Sequence, residues 1–335
     1  EKMGDLPIDF SNPKRTLISG LFQETAKVGG QPRKFLTYIP EVSGICQIDT
    51  IQLFNIDSTN LYAKHWKALV ECIEENYEAY DGFVVTHGTD TMAYTAAALS
   101  YFIQNSRKPI VITGSQITIA AENTDARDNL LNAFIYAADD HACGVHVIFD
   151  NKVILGTRAR KSRTKSYNAF SSIDYPEIAI FKNHRLVFYI EEQKPVGEPL
   201  FYHDFSARVF VLKMIPGINP EIFDYLEEHY DAVVLESFGV GGVPYYDAYD
   251  FEAAISRWTA KGKVLVVTTQ VAHEGSDMEV YAVGQSIKQK LSLIEAFDMT
   301  TEAIVTKLIW ILGITREPKK IAEMFYAPVE KDILL

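Results

Sequence analysis

The 335-residue chain has no uncharged apolar run of about eighteen or more residues, and its opening Glu1-Lys2-Met3-Gly4-Asp5 is charged with nothing apolar behind it. Neither a membrane-spanning helix nor a secretory leader is therefore expected. Cysteine is scarce. Cys46, Cys72 and Cys143 are odd in number and far apart, which argues against a disulfide framework and suits reduced thiols, packed as small hydrophobes in a cytoplasmic protein. Basic charge is in the minority, with 32 Lys and Arg against 44 Asp and Glu, for a net charge of −12. With no block of consecutive basic residues, electrostatics oppose binding to nucleic acid and anionic membrane, and a small-molecule or protein partner is favoured. The phosphate-loop, Gly-x-Ser-x-Gly and His-Glu-x-x-His strings are also missing, which removes the signatures of nucleotide hydrolysis, serine esterase and zincin chemistry. His141, Cys143 and His146 lie close together, but His146 sits inside an apolar run and no fourth ligand is near. They read as structural, and neither a metal nor a cofactor is expected.

What is present is core-forming material, 47% hydrophobic, in a chain longer than one core usually organises. Short β-rich runs alternate with longer amphipathic segments, the pattern of an α/β protein. Residues 83–86, 110–113 and 145–149 read as buried strands, with helices over 91–104 and 125–138, the second capped by Thr124 or Asp125. Residues 193–203 hold two prolines and a glycine with weak periodicity, as a connection between domains would. Beyond it, strands over 208–212, 232–235 and 264–268 alternate with helices over 220–230, 250–261 and 300–312. The expected architecture is an N-terminal domain, 1–192, with a largely parallel sheet covered by helices. A linker, 193–207, leads to a smaller C-terminal α/β domain, 208–335. Ligands of such sheets sit beyond the carboxyl ends of the strands, so polar residues there are the first candidates.

Immediately after the strand at residue 83 comes Thr86-His87-Gly88-Thr89-Asp90-Thr91-Met92, hydroxyls and a carboxylate at a strand-to-helix turn. Free backbone N–H groups at such a turn suit a carboxylate or a developing oxyanion, although Asp90 also suits a helix cap. Arg158 to Lys165 holds five cations in eight residues, either a phosphate patch or a loop that delivers one lysine to a site.

The string Gly82-Phe-Val-Val-Thr-His-Gly-Thr-Asp-Thr-Met92 resembles the second signature of the bacterial-type L-asparaginase and glutaminase family. Leu53-Phe-Asn-Ile-Asp57-Ser58-Thr59-Asn60 is similar to that family's substrate loop. Thr113-Gly-Ser-Gln116 with Asp125 to Ala133 is similar to its next strand, loop and helix, and Gly156 to Phe170 to its lysine loop. Asp298 to Leu308 looks like a C-terminal helix of the cytosolic branch, and coverage runs from about Leu36 to Trp310. The resemblance implies hydrolysis of L-asparagine to L-aspartate and ammonia through a threonine acyl-enzyme. Thr89 is then a catalytic hydroxyl activated by Asp90 and Lys161, and Ser58, Thr59, Thr89 and Asp90, with Asp57 shaping the loop, hold the amino-acid substrate. It also implies a homodimer or homotetramer.

One signature departs. The family opens with Thr-Gly-Gly-Thr-Ile, whose second threonine is the primary nucleophile; here Ser19-Gly20-Leu21-Phe22 puts a phenyl ring at that place. Three explanations remain open. Thr25 substitutes from a shifted loop, a loop segment is missing from the sequence, or the protein is a catalytically silent binder or sensor of an amino acid.

Overall fold

The computed structural model describes residues 14–20, 36–244, 250–280 and 293–334. Strands β1 (Arg15–Gly20) and β2 (Gln47–Gln52) precede helix α1 (Ala63–Asn76), and β3 (Gly82–Thr86) leads into α2 (Met92–Phe102). Next come β4 (Ile103–Gln104), β5 (Pro109–Thr113), α3 (Ala126–Ala137), β6 (Gly144–Phe149) and β7 (Lys152–Leu155). Two hairpins follow, β8 (Ala159–Lys161) with β9 (Phe170–Ser172), and β10 (Ala179–Lys182) with β11 (Arg185–Phe188). After β12 (Leu200–Phe201) the chain alternates β13 (Val209–Lys213), α4 (Ile222–His229), β14 (Ala232–Ser237), α5 (Phe251–Ala260) and β15 (Val264–Thr269). It closes through β16 (Ile294–Glu295), α6 (Thr301–Ile314) and α7 (Pro318–Tyr326).

Eight strands form the first sheet, in the order β11-β10-β7-β6-β5-β3-β1-β2. The stretch from β6 to β2 is parallel, because α2 and α3 carry the chain back between β3, β5 and β6. Of the antiparallel pairs, β6–β7 and β10–β11 are two-residue hairpins whose turns, Asp150-Asn151 and Asn183-His184, take the positive φ such turns require, while β7 and β10 pair across a longer excursion. The second sheet, β13-β14-β15-β16, is smaller and parallel. The α/β architecture expected from the sequence is thus present. Helix α6 is apolar on nearly all sides and lies between the sheets, against α2 on one side and β13 and β14 on the other. One hydrophobic cluster consequently runs from Leu17, Val85 and Ile112, through Leu308 and Trp310, to Val234 and Val266.

Three local expectations need correction. The helix expected over 91–104 stops at Phe102, because Asn105 turns left-handed (φ 57°) and Lys108 precedes a proline. Ile103–Gln104 instead pair with Leu200–Phe201, which puts a strand inside the expected linker. The basic stretch runs from a turn at Arg158 through β8, which carries Lys161, into the loop that leads to β9, and not all of its cations face solvent. Its β8–β9 hairpin buries Arg158 completely, and the guanidinium bonds Lys331 O at 2.6 Å, Asp298 O at 2.9 Å and the Asp298 carboxylate at 2.9 Å.

The three cysteines are buried and free, and burial pushes the Cys72 and Cys143 thiols up to about 11 and about 12. His146 is an ion-pair partner, its Nε2 standing 2.8 Å from Glu192. Burial opposes the imidazolium, but the Glu192 carboxylate outweighs it and raises the pKa. Among the described residues no helix is long and apolar enough to cross a membrane.

Near the end of the described chain Asp332 and Ile333 are buried. The buried Asp332 carboxylate accepts from Tyr101 Oη (2.8 Å), Lys307 Nζ (2.6 Å) and Val329 N (2.8 Å). Beside it, burial pushes the Glu330 carboxyl up to about 7 against the opposing pull of Ser100 and His146. Its Oε2 has no hydrogen-bond partner. An acid whose folded pKa is raised binds its proton more tightly when folded, so its stabilising effect is present below the unfolded pKa and fades between about 4.5 and about 7. Glu330→Gln is therefore expected to raise the melting temperature at pH 8, where the parent carries roughly 3 kcal/mol of ionisation cost, and to leave it unchanged at pH 4. Melting curves at the two pH values check this; an equal shift at both would contradict it.

Candidate active site

The parallel order places a switch point between β1 and β3, since β1 runs out to β2 on one side and to β3 on the other. Loops leaving the carboxyl ends of β2, β3 and β5 meet at that end of the sheet. The β2 loop reaches Ser58–Asn60, a turn of 3-10 helix with Asp57 as its cap. Asp57 Oδ1 accepts from Thr59 N (2.9 Å) and Thr59 Oγ1 (2.8 Å), bonds that hold the carboxyl below its usual range. Asp57 and Thr59 are thus exposed and bonded to each other, while Ser58 is buried.

Ser58 is pressed onto the β3 loop. Thr91 Oγ1 donates to Ser58 O at 2.8 Å, and a β-carbon on Gly88 would stand 2.6 Å from Ser58 Oγ. Only a glycine lets the two loops approach so closely. Gly114 allows the same approach from the β5 loop, since a β-carbon there would meet His87 O at 2.1 Å.

The β3 loop is fixed from below by a histidine of known tautomer. Gly88 O can only accept, so His87 Nδ1 donates to it, at 2.6 Å. Nε2 then accepts from Thr95 Oγ1 at 2.8 Å, and Thr95 in turn accepts from Trp66 Nε1 at 3.0 Å. Burial pushes the His87 pKa down to about 4, so the ring stays neutral and the chain keeps one polarity.

Above this support, the β8 strand delivers Lys161. Its Nζ lies 2.7 Å from Thr89 Oγ1 and 2.6 Å from Asp90 Oδ1, bridging the two residues. The lysine side chain is 15% exposed and that of Asp90 59%. Asp90 does not cap α2, which has no side-chain cap; its carboxylate faces the lysine instead. An ammonium over a hydroxyl and a carboxylate can lower the cost of an alkoxide or exchange a proton with it, the support that a weak oxygen nucleophile needs.

Of the residues named from sequence, Thr89, Asp90 and Lys161 are brought together, with Ser58 abutting the same loop. Thr25 lies outside the described residues, as does the segment that follows Gly20. Gln116 was not singled out, yet its Oε1 accepts from Thr89 Oγ1 at 3.2 Å. The signal was its place in the loop after β5, at the carboxyl edge where such residues were to be sought. Asp125 holds that loop, accepting from Gln116 N (2.9 Å) and Ile117 N (3.0 Å). Asp125 occupies the N-cap position of α3 without a side-chain capping bond, and Thr124 Oγ1 accepts from Ala126 N beside it. A separate groove of about 600 Å³, lined by residues that include Ser256, Lys263, Val264 and Lys319, opens at the amino end of β15 and shares no residue with this constellation.

Residues 19–194 match the family model described as Asparaginase, N-terminal, and residues 208–325 match the Glutaminase/Asparaginase C-terminal domain. The chain is 37% identical over 287 residues to the L-asparaginase of Thermococcus kodakarensis, covering 86% of each. The solved structure of the thermostable L-asparaginase from that organism superposes with a TM-score of 0.87 at 35% identity, over 96% of this chain and 99% of that one. L-asparaginase 1 of Escherichia coli is 35% identical over 77% of this chain and 76% of its own length. A glutamyl-tRNA(Gln) amidotransferase subunit of Pyrococcus furiosus is 33% identical over 86% of this chain and 68% of its own.

Proposed function

Because this chain belongs to the asparaginase family of amidohydrolases, we propose that it hydrolyses L-asparagine to L-aspartate and ammonia through a threonine ester. The observation that carries the reading is the single lysine nitrogen within hydrogen-bond distance of both Thr89 Oγ1 and Asp90 Oδ1. A threonine oxygen adds to the side-chain amide carbon. The C–N bond then breaks, the leaving nitrogen takes a proton and departs as ammonia, and water cleaves the ester to give the acid and restore the hydroxyl. Lys161 supports the oxygen, and Asp90 accepts from the substrate's α-ammonium. The Ser58 hydroxyl donates to the α-carboxylate.

In this reading residues 1–192 carry the catalytic loops, 193–207 connect, and 208–335 form the smaller domain. Thr89 is the described hydroxyl and Thr25 the second candidate. A cytoplasmic homodimer or homotetramer belongs to the same reading.

A second reading, a silent amino-acid binder, is favoured by one observation: Phe22 stands where the family's nucleophile belongs. Ammonia release from L-asparagine, measured alongside L-aspartate binding, separates the two. Release that rises in proportion to protein supports the first. Binding without release at high protein concentration supports the second.

A further inference from the structure

The Thr89 hydroxyl has its hydrogen-bond partners fixed by elimination. Lys161 Nζ only donates, so Thr89 accepts from it, and the single hydroxyl proton goes to Gln116 Oε1 at 3.2 Å. The orientation of the Gln116 amide is set in the same way. Its Nε2 lies 3.2 Å from Ser166 O, which can only accept, so the amide oxygen is the atom turned to Thr89. The backbone of Gln116 is held independently by the buried Asp125 carboxylate, itself bonded by Asn129 Nδ2 at 3.3 Å, and Asn129 Nδ2 also donates to Gly114 O at 3.0 Å. The neighbouring turn is tied down by Tyr167 Oη, which donates to Asn123 O at 2.7 Å.

A primary carboxamide, the functional group that the proposed reaction consumes, is thus built into the protein against Thr89. We infer that Gln116 is a specificity-determining residue, whose anchored side chain limits the length of the amide side chain that reaches the Thr89 hydroxyl. The inference rests on the reading above, in which Ser58 and Asp90 hold the α-carboxylate and α-ammonium. A substrate fixed at those two points extends its amide towards Thr89, whose hydroxyl is hydrogen-bonded to the anchored Gln116 amide. A side chain one methylene longer is driven against Gln116. Asparagine and aspartate are therefore favoured over glutamine and glutamate.

Removing the obstruction changes the ranking more than the chemistry, and one methylene in a pocket is worth roughly 10–200-fold in discrimination. The test compares the parent with Gln116→Ala and Gln116→Asn. It reads the ratio of kcat/KM for asparagine to that for glutamine, and by calorimetry the ratio of affinities for L-aspartate and L-glutamate. Gln116→Ala is expected to shift both ratios at least about tenfold towards the five-carbon ligand, and Gln116→Asn to shift them in the same direction by less. Ratios unchanged in the folded variants, with both substrates slowed alike, overturn the inference and make Gln116 a support for Thr89 only. A parent that binds aspartate without releasing ammonia sinks the hydrolytic reading but leaves the affinity ratio to decide on Gln116. If Gln116→Ala fails to fold, Gln116→Asn, which keeps the carboxamide, decides by the same ratios.

Discussion

Lys161→Met is expected to release ammonia from asparagine about a thousandfold more slowly than the parent, the middle of the range for losing a positioned proton-transfer or charge-stabilising group. The effect falls on kcat, because the Lys161 nitrogen touches Thr89 Oγ1 and the anchoring carboxylate of Asp90 remains in place. Stability is expected to change little. With the Asp90 side chain 59% exposed, the ion pair is screened by water and contributes at most about 1 kcal/mol. Initial rates and a melting curve check both halves; a kcat within about threefold of the parent would refute the assignment of Lys161.

Lys161→Arg then separates two ways in which the lysine could act. Arginine keeps the positive charge but gives up no proton at any ordinary pH. Activity retained in the arginine variant marks a fixed charge that orients the hydroxyl. Loss equal to that of the methionine variant marks a base.

The largest effect on stability is expected far from the chemistry. Lys307 and Asp332 have fully buried side chains 2.6 Å apart. Lys307→Met leaves the Asp332 carboxylate in the interior with Tyr101 and Val329 as donors but no cation, a loss of roughly 3–5 kcal/mol. At the few degrees per kcal/mol usual for domains of this size, the melting temperature should fall by about 10 °C. Pairing Lys307→Met with Asp332→Leu removes both charges, and should recover most of the loss because two apolar groups replace two desolvated ions. A single variant that melts with the parent would show that water reaches the pair.

Much of the first sheet was legible because β3, β5 and β6 are buried on both faces and so read as unbroken apolar runs. The same logic could not find β4 and β12, whose two residues each are too short for any period. It gave no sign that Arg158, one of five cations in eight residues, is buried under Asp298, 140 positions away. The meeting of Thr89, Asp90 and Lys161 was anticipated from the resemblance of residues 82–92 and 156–170 to two family signatures. Gln116 was not, since its contact with Thr89 is made only once β3 and β5 lie side by side. Local pattern exposes residues that serve their own segment, whereas a partner supplied from a neighbouring strand is visible only in three dimensions.

The Tyr101 and Asp332 contact joins positions 231 residues apart. A ribosome that releases the chain in order therefore presents the entire first sheet before the carboxylate that answers Tyr101 and Lys307 has been made. Throughout that interval the Tyr101 hydroxyl and the Lys307 ammonium lack their buried partner. Nascent chains stalled short of position 332 are therefore expected to leave a cation without its buried counter-charge.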